Sequence, residues 1–348
     1  MHKSILFEKR SNVSVRCTAC RHYCTIPEGK SGVCGVRVNR KGELYLAVYG
    51  RAVAANIDPV EKKPLFHFLP GSQIFSFGTI GCNFACSFCQ NWDISQAARE
   101  PAGGKNDAQT PHFTQLQISG KDLQPEQIVQ YCIENEIPSI AYPYNEPAIF
   151  FEYVYDTAKL ARKSGIRNVL VSNGYESGES LKMLASCIDA MNIDLKAFTE
   201  RFYMKFCKAR LQPVLDTIKE AHERGIWIEI TTLVIPSEND SKAELGNIAK
   251  FIAGVDKNIP WHISRFHPDY KMQGIAATPV QTLESAYRIG KSAGLRHVYV
   301  GNIENSHENT CCPNCGKVLI SRKGYSTRIE GLEGGRCGCG ESIPGIWK

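Results

Sequence analysis

The chain has 348 residues, enough for about two domains, and its 43% hydrophobic and 22% charged content is that of an ordinary soluble globular protein. A formal charge of +6 is mild; it is compatible with an anionic, nucleotide-like ligand, but no concentrated basic stripe marks a nucleic-acid binder. The N-terminus MHKSILFEKRSNVSVRC lacks a secretory signal and no stretch approaches the roughly 18 apolar residues of a membrane span, so fifteen cysteines point to metals in a reducing cytoplasm rather than to disulfides.

In chain order, residues 1–72 are expected to form a small N-terminal cysteine-rich module. Cys17-x2-Cys20-x3-Cys24 opens it and Cys34 follows, four thiolates whose spacing suits either structural zinc or an additional iron–sulfur cluster. Strand-like KGELYLAVYGRAVAANI and a proline-bounded connector, DPVEKKPLFHFLPG, complete it. From 73 to about 303, apolar β-rich runs alternate with helical ones. Strands are expected at 73–79, 139–143, 168–172, 190–195, 226–235, 261–266 and 297–301, with helices in PEQIVQYCIENE, IFFEYVYDTAKLARKSG and PVLDTIKEAHERG; the last two end at Gly165 and Gly225. This alternation predicts an α/β fold, a partial parallel β/α barrel. The polar stretch 93–122, with PAGGKND at its centre, is expected as a surface loop, and residues 304–348 as a cysteine- and glycine-rich C-terminal module. Cys132 and Cys187, in apolar helical runs, are expected as buried small hydrophobes.

The chemistry is carried by Cys82-x3-Cys86-x2-Cys89, directly after the first strand. Three thiolates on one tight loop hold three corners of a cuboidal iron–sulfur cluster, whereas electron-transfer clusters usually take four cysteines. The open iron is then available to a substrate. Gly78 and Gly81 give the backbone freedom to fold around such a group, and a zinc site is the plain alternative. In a parallel β/α architecture reactive groups collect at the C-terminal strand ends. Those ends read, after the triplet, Tyr144-Asn145-Glu146-Pro147, Ser172-Asn173-Gly174-Tyr175, Asp194-Leu195-Lys196, Ile235-Pro236-Ser237-Glu238-Asn239-Asp240 and Arg265-Phe266-His267-Pro268, a polar set too regular for capping alone.

The triplet, with Phe88 before its last cysteine, resembles the loop of the radical S-adenosylmethionine (SAM) superfamily. The resemblance implies a [4Fe-4S] cluster whose open iron chelates the amine and carboxylate of SAM, with one electron cleaving SAM to methionine and a 5′-deoxyadenosyl radical. The strand-end set is most similar to pyruvate formate-lyase activating enzymes, whose elements read GGEP, DTNG, DLK, VVPG and YH. By that resemblance Glu146 binds the SAM amino group, a role suited to a carboxylate facing ammonium donors. Ser172, Asn173 and Gly174 line the methionine and ribose region, Lys196 faces the SAM carboxylate, Asp194 coordinates a cation or holds the lysine, and His267 approaches the ribose. The chain departs from the pattern at Tyr144 and Asn145, which stand for two glycines, at Val171 in place of the DTNG aspartate, and at Glu229 in place of an arginine. Across its whole length, including GCNFACSFCQNWDISQ, NIDLKAF and CPNCG…GRCGCG, it resembles the AmmeMemoRadiSam-system subgroup, which implies MEMO-like or AMMECR-type partners but no substrate.

Cys312-x2-Cys315 and Cys337-x-Cys339 flank KVLISRKGYSTRIEGLEGG, the pair–hairpin–pair pattern of a structural tetrathiolate zinc site, with an auxiliary iron–sulfur cluster as the alternative. Arg322-Lys323-Gly324-Tyr325 resembles the surroundings of a radical glycine, but Gly324 is expected as a hairpin glycine. The leading expectation is a radical SAM enzyme that removes a hydrogen atom from an unknown small-molecule or protein substrate, fed by a ferredoxin- or flavodoxin-type donor. Activation of a glycyl radical enzyme is a narrower version of it. A multi-zinc adaptor for nucleic acid and a pure electron-transfer protein are the competing classes; the strand-end set weighs against the first and the three-cysteine loop against the second.

Overall fold

A computed structural model describes residues 1–99, 120–303 and 306–348; most of the expected surface loop at 93–122 and the junction at 304 lie outside them. The chain divides into two compact units, one of Met1–Ile57 with Ile74–Asp189, the other of Asp58–Gln73 with Ala190–Lys348. The fold is α/β, with a mostly parallel sheet as its framework.

In the first unit the parallel strands are β1 (Gln73–Gly78), β2 (Ser139–Tyr142) and β3 (Arg167–Ser172), with Ile140 registered on Phe75 and Ala141 on Val169. Helix α1 (Pro125–Glu134) precedes β2, α2 (Phe151–Lys163) links β2 to β3, and α3 (Gly178–Leu184) follows. Local chemistry sets these boundaries. Pro125 opens α1 beside a capping box in which the Gln124 N–H donates to Gln127 Oε1 at 2.7 Å, and Gly165 ends α2 at φ +75°. Val169 and Leu170 of β3 and Val154, Ala158 and Ala161 of α2 are fully covered. A fully buried valine or leucine contributes about 1.5–3 kcal/mol relative to exposure. Cys132 lies buried in α1, and Cys187 is buried in the turn after α3. The N-terminal segment forms two small antiparallel sheets. Phe7–Lys9, Val15–Cys17 and Thr25–Ile26 make one; His2–Lys3, Glu43–Leu46 and Arg37–Arg40 make the other.

In the second unit β4 (Ala190–Asp194), β5 (Trp227–Val234), β6 (Trp261–Arg265) and β7 (Val298–Gly301) pair in parallel in that order. Helices α4 (Leu211–Glu223), α5 (Lys242–Val255) and α6 (Val280–Ser292) precede β5, β6 and β7. Gly225 closes α4 at φ +76°, and Ser241 Oγ caps α5 by accepting from the Glu244 N–H at 3.1 Å. The tail adds the hairpin Val318–Lys323 and Ser326–Ile329, with Gly324 in its turn at φ +58° as expected. Among the described residues no helix is long and apolar enough to cross a membrane.

Candidate active site

After β1 the first unit turns through Thr79, Ile80 and Gly81 into the cysteine triplet. Asn145 pins that turn: its Nδ2 donates to Thr79 Oγ1 at 3.0 Å and to Gly81 O at 2.9 Å. Gly81 has φ +90°, and a Cβ there would stand 2.7 Å from Cys34 O, so a glycine is required both for the conformation and for the contact. Cys86 is buried, and Cys82 and Cys89 are half-buried. Cys89 Sγ lies 3.2 Å from Ser95 Oγ on the short helix Trp92–Ser95, and Arg99 Nη2 donates to Cys82 O at 2.7 Å. Burial pushes the Cys82 thiol far up, and negative charge at Cys86, Glu146 and Cys89 adds to it. Such a thiol ionises readily only against a metal.

Glu146 follows β2, with its side chain almost wholly covered. It caps the turn Pro147–Phe150 by accepting from the Ala148 N–H at 3.2 Å, and it accepts from the Asn173 N–H at 2.8 Å and from Ser172 Oγ at 3.2 Å. Gly174, at φ +77°, donates its N–H to Ser172 Oγ at 2.8 Å. Asn173 Nδ2 reaches Asn83 Oδ1 at 2.7 Å and lies 4.0 Å from Cys82 Sγ. The predicted residues of the first unit, Glu146, Ser172, Asn173 and Gly174, are therefore joined to one another and to the triplet. Glu176 is buried beside Glu146; burial first, then this second carboxylate, raises the Glu146 carboxyl well above its usual range. A cationic ligand would reverse that balance by favouring the charged carboxylate. Asn83 Nδ2 and Asn173 Oδ1 are buried without a hydrogen-bond partner, as expected of groups that a bound ligand satisfies. The donor set fits a three-thiolate cluster with an amine-bearing ligand.

In the second unit Asp194 ends β4, and its carboxylate takes Lys196 Nζ at 2.7 Å. Of the two roles open to Asp194, the structure displays the one in which it holds the lysine. The Lys196 backbone is fixed by the Tyr203 hydroxyl at 3.1 Å and by Asn239 Nδ2, which donates to its carbonyl at 2.6 Å. His267 is exposed in the loop after β6.

The outer cysteines behave differently from one another. Cys312, Cys315, Cys337 and Cys339 bring all four sulfurs within 4.8 Å, with Cys312–Cys339 and Cys315–Cys337 at 3.6 Å. Tetrahedral zinc with bonds of about 2.3 Å spaces its sulfurs by about 3.8 Å. The Cys339 thiol is drawn down to about 6, the Glu341 N–H leading and the neighbouring thiols assisting. This quartet is anchored at the N-terminal ends of the second unit's strands. Arg322 donates to Phe66 O at 2.8 Å and to Thr310 Oγ1 at 2.8 Å, Tyr299 near the start of β7 meets Thr310 Oγ1 at 2.9 Å, and His67 bridges Tyr299 and Pro344 O at 2.7 Å each. His67 is held neutral by burial, at about 4. Glu229 lies in the same region: it accepts from the His67 N–H at 2.8 Å and meets His262 Nε2 at 2.7 Å, so the departure from arginine serves a buried internal network. In the N-terminal set Cys17, Cys20 and Cys34 are buried and Cys24 is half-buried.

A model of the Radical SAM superfamily matches residues 77–251. The chain belongs to the radical SAM superfamily. Membership implies a [4Fe-4S] cluster and SAM as the resident chemistry. The chain is 43% identical over 348 residues to an uncharacterized protein, MJ0808, of Methanocaldococcus jannaschii, covering 99% of each. It is 23% identical over 214 residues to the pyruvate formate-lyase-activating enzyme of Clostridium pasteurianum, covering 57% of this chain and 81% of that one. Among solved structures, a domain of pyruvate-formate lyase-activating enzyme from Bacteroides vulgatus matches with TM-score 0.42 and 17% identity over 47% of this chain and 98% of its own. Streptococcus suis SuiB matches with TM-score 0.49 and 12% identity over 70% and 52%.

Tyr144, noted in the sequence as a departure, takes φ +75°, a left-handed conformation uncommon for a residue with a side chain. Asn145 registers in the sequence only as a departure, yet it ties the β2 end to the triplet turn. Asn83 sits inside the triplet motif, and Glu176 directly follows Ser172-Asn173-Gly174-Tyr175, so adjacency to a known element was the available signal for both.

Proposed function

We propose that the chain cleaves SAM reductively on a cluster held by Cys82, Cys86 and Cys89, and removes a hydrogen atom from a substrate C–H bond. The observation that carries this reading is the hydrogen-bonded link from the triplet through Asn83 and Asn173 to the buried carboxylate of Glu146. When bound, the cluster supplies one electron to the sulfonium and an open iron for the amino and carboxylate groups. The chain's own residues do the rest. Glu146 receives the ammonium, and the Ser172–Asn173 turn holds that carboxylate in place. By the resemblance to activating enzymes, Lys196, steadied by Asp194, would offer positive charge to the carboxylate of SAM, and His267 would approach the ribose.

Glu146→Gln is expected to keep its iron and to bind SAM more weakly by about 1.5–3 kcal/mol, roughly 10- to 150-fold. The readout is the SAM-induced change in the electron paramagnetic resonance (EPR) spectrum of the dithionite-reduced protein, titrated against wild type. An unchanged dissociation constant removes Glu146 from the site.

The C-terminal quartet is read as structural zinc because its sulfurs have single-ion spacing and its anchors lie at the strand ends opposite to those that carry Asp194 and Lys196. Replacing Cys312 and Cys315 with serine is expected to release one zinc and lower the thermal midpoint, by about 2–4 °C for each kcal/mol lost. Loss of iron instead would make it an auxiliary cluster. The reductant is proposed as a ferredoxin- or flavodoxin-type protein in the cytoplasm, and MEMO-like or AMMECR-type proteins as associates; strictly anaerobic co-purification tests both. Glycyl-radical activation is the narrower version, motivated by the likeness to activating enzymes.

A further inference from the structure

We propose that Cys17, Cys20, Cys24 and Cys34 hold a second iron–sulfur cluster, fully ligated by protein and packed directly against the catalytic loop; this rests on the radical SAM reading above. Three observations converge.

The first is contact. Cys34 O lies against Gly81, the residue before Cys82, so closely that no Cβ fits between them. Arg99 ties the same two segments, donating from Nε to Val33 O at 2.9 Å and from Nη2 to Cys82 O at 2.7 Å. On the other side of the set, His22 Nε2 lies 3.1 Å from Asn83 O and its ring packs on Phe84 and Tyr175. Ligand-bearing segments on both sides of the N-terminal set thus touch residues of the triplet loop itself. Structural zinc has no reason to sit there, whereas a one-electron store does.

The second is clustering. The Cys17 N–H donates to Cys24 O at 2.9 Å, and Cys17, Cys20, Cys24 and Cys34 lie near enough for the thiols to feel one another's charge. Four cysteines gathered in this way suit full protein ligation of a cuboidal cluster, one thiolate to each iron.

The third is electrostatic. Cys17, Cys20 and Cys34 are buried with free thiols, while the adjacent guanidinium of Arg37 is already engaged by Glu152 at 2.6 Å. Four thiolates in such surroundings require a cationic core.

The test separates this site from the catalytic one. A chain with Cys82, Cys86 and Cys89 all changed to serine, purified anaerobically, is expected to retain about four irons and four sulfides. On reduction it should give an EPR signal that added SAM does not alter, because no iron is open. In the otherwise wild-type chain, Cys17→Ser with Cys20→Ser should lower iron from about eight to about four per chain, with the SAM-responsive signal remaining. An iron-free triple variant, or loss of a zinc equivalent rather than iron from the Cys17/Cys20 variant, would overturn the proposal. Both outcomes leave the radical SAM reading standing, since that reading depends on the SAM-responsive signal of the wild type.

Discussion

Cys86→Ala is expected to reduce SAM cleavage to the uncatalysed background. Cys86 is buried in the middle of the triplet, so its removal leaves two thiolates that cannot hold a cuboidal cluster with one open iron. Alanine is small and preserves the turn, which is fixed independently by Asn145 on Thr79 and Gly81 and by Arg99 on Cys82. The variant should therefore fold, keep the zinc proposed for the C-terminal quartet and lose only the iron proposed for the catalytic loop. Metal analysis beside a 5′-deoxyadenosine assay checks both parts. Cleavage that persists at the wild-type rate would detach the chemistry from this loop.

The second large effect falls outside the triplet. Arg37 and Glu152 form an ion pair at 2.6 Å with both side chains 2% exposed. Arg37 Nε also donates to Ile149 O at 2.9 Å, and Glu152 accepts from the Ile5 N–H at 3.0 Å. Ile149 lies in the turn that Glu146 caps. Arg37→Ala leaves a buried carboxylate without its cation and is expected to cost about 3–5 kcal/mol of stability. Replacing both partners with apolar residues of similar volume should recover much of that loss. Urea melts of the two single variants and the double variant form the cycle; a single-variant loss below about 1 kcal/mol, the range of an exposed pair, would contradict the geometry. The same variant should bind SAM more weakly, because the turn behind Glu146 loses its brace.

The seven parallel strands were legible because each is a short continuous apolar run between glycine or polar punctuation, and their ends fell within a residue or so of expectation. Of the expected site residues, Glu146, Ser172, Asn173 and Gly174 meet beyond the ends of adjacent strands, as the parallel topology requires. What local pattern could not reveal is the pairing of distant polar groups. Arg37 and Glu152, or Glu229 and His262, look like ordinary surface charges until the fold buries them. Nor does spacing tell that the backbone at Cys34 touches Gly81, or that the C-terminal cysteine quartet closes to single-ion distance. Those features arise from tertiary contacts.

The most direct measurement is the fate of SAM. Anaerobically reconstituted protein, reduced with dithionite and given SAM, is predicted to yield 5′-deoxyadenosine and methionine, with no such product from the Cys86→Ala chain or from unreduced protein. A protein that carries its iron, is reduced, and leaves SAM intact would contradict the account.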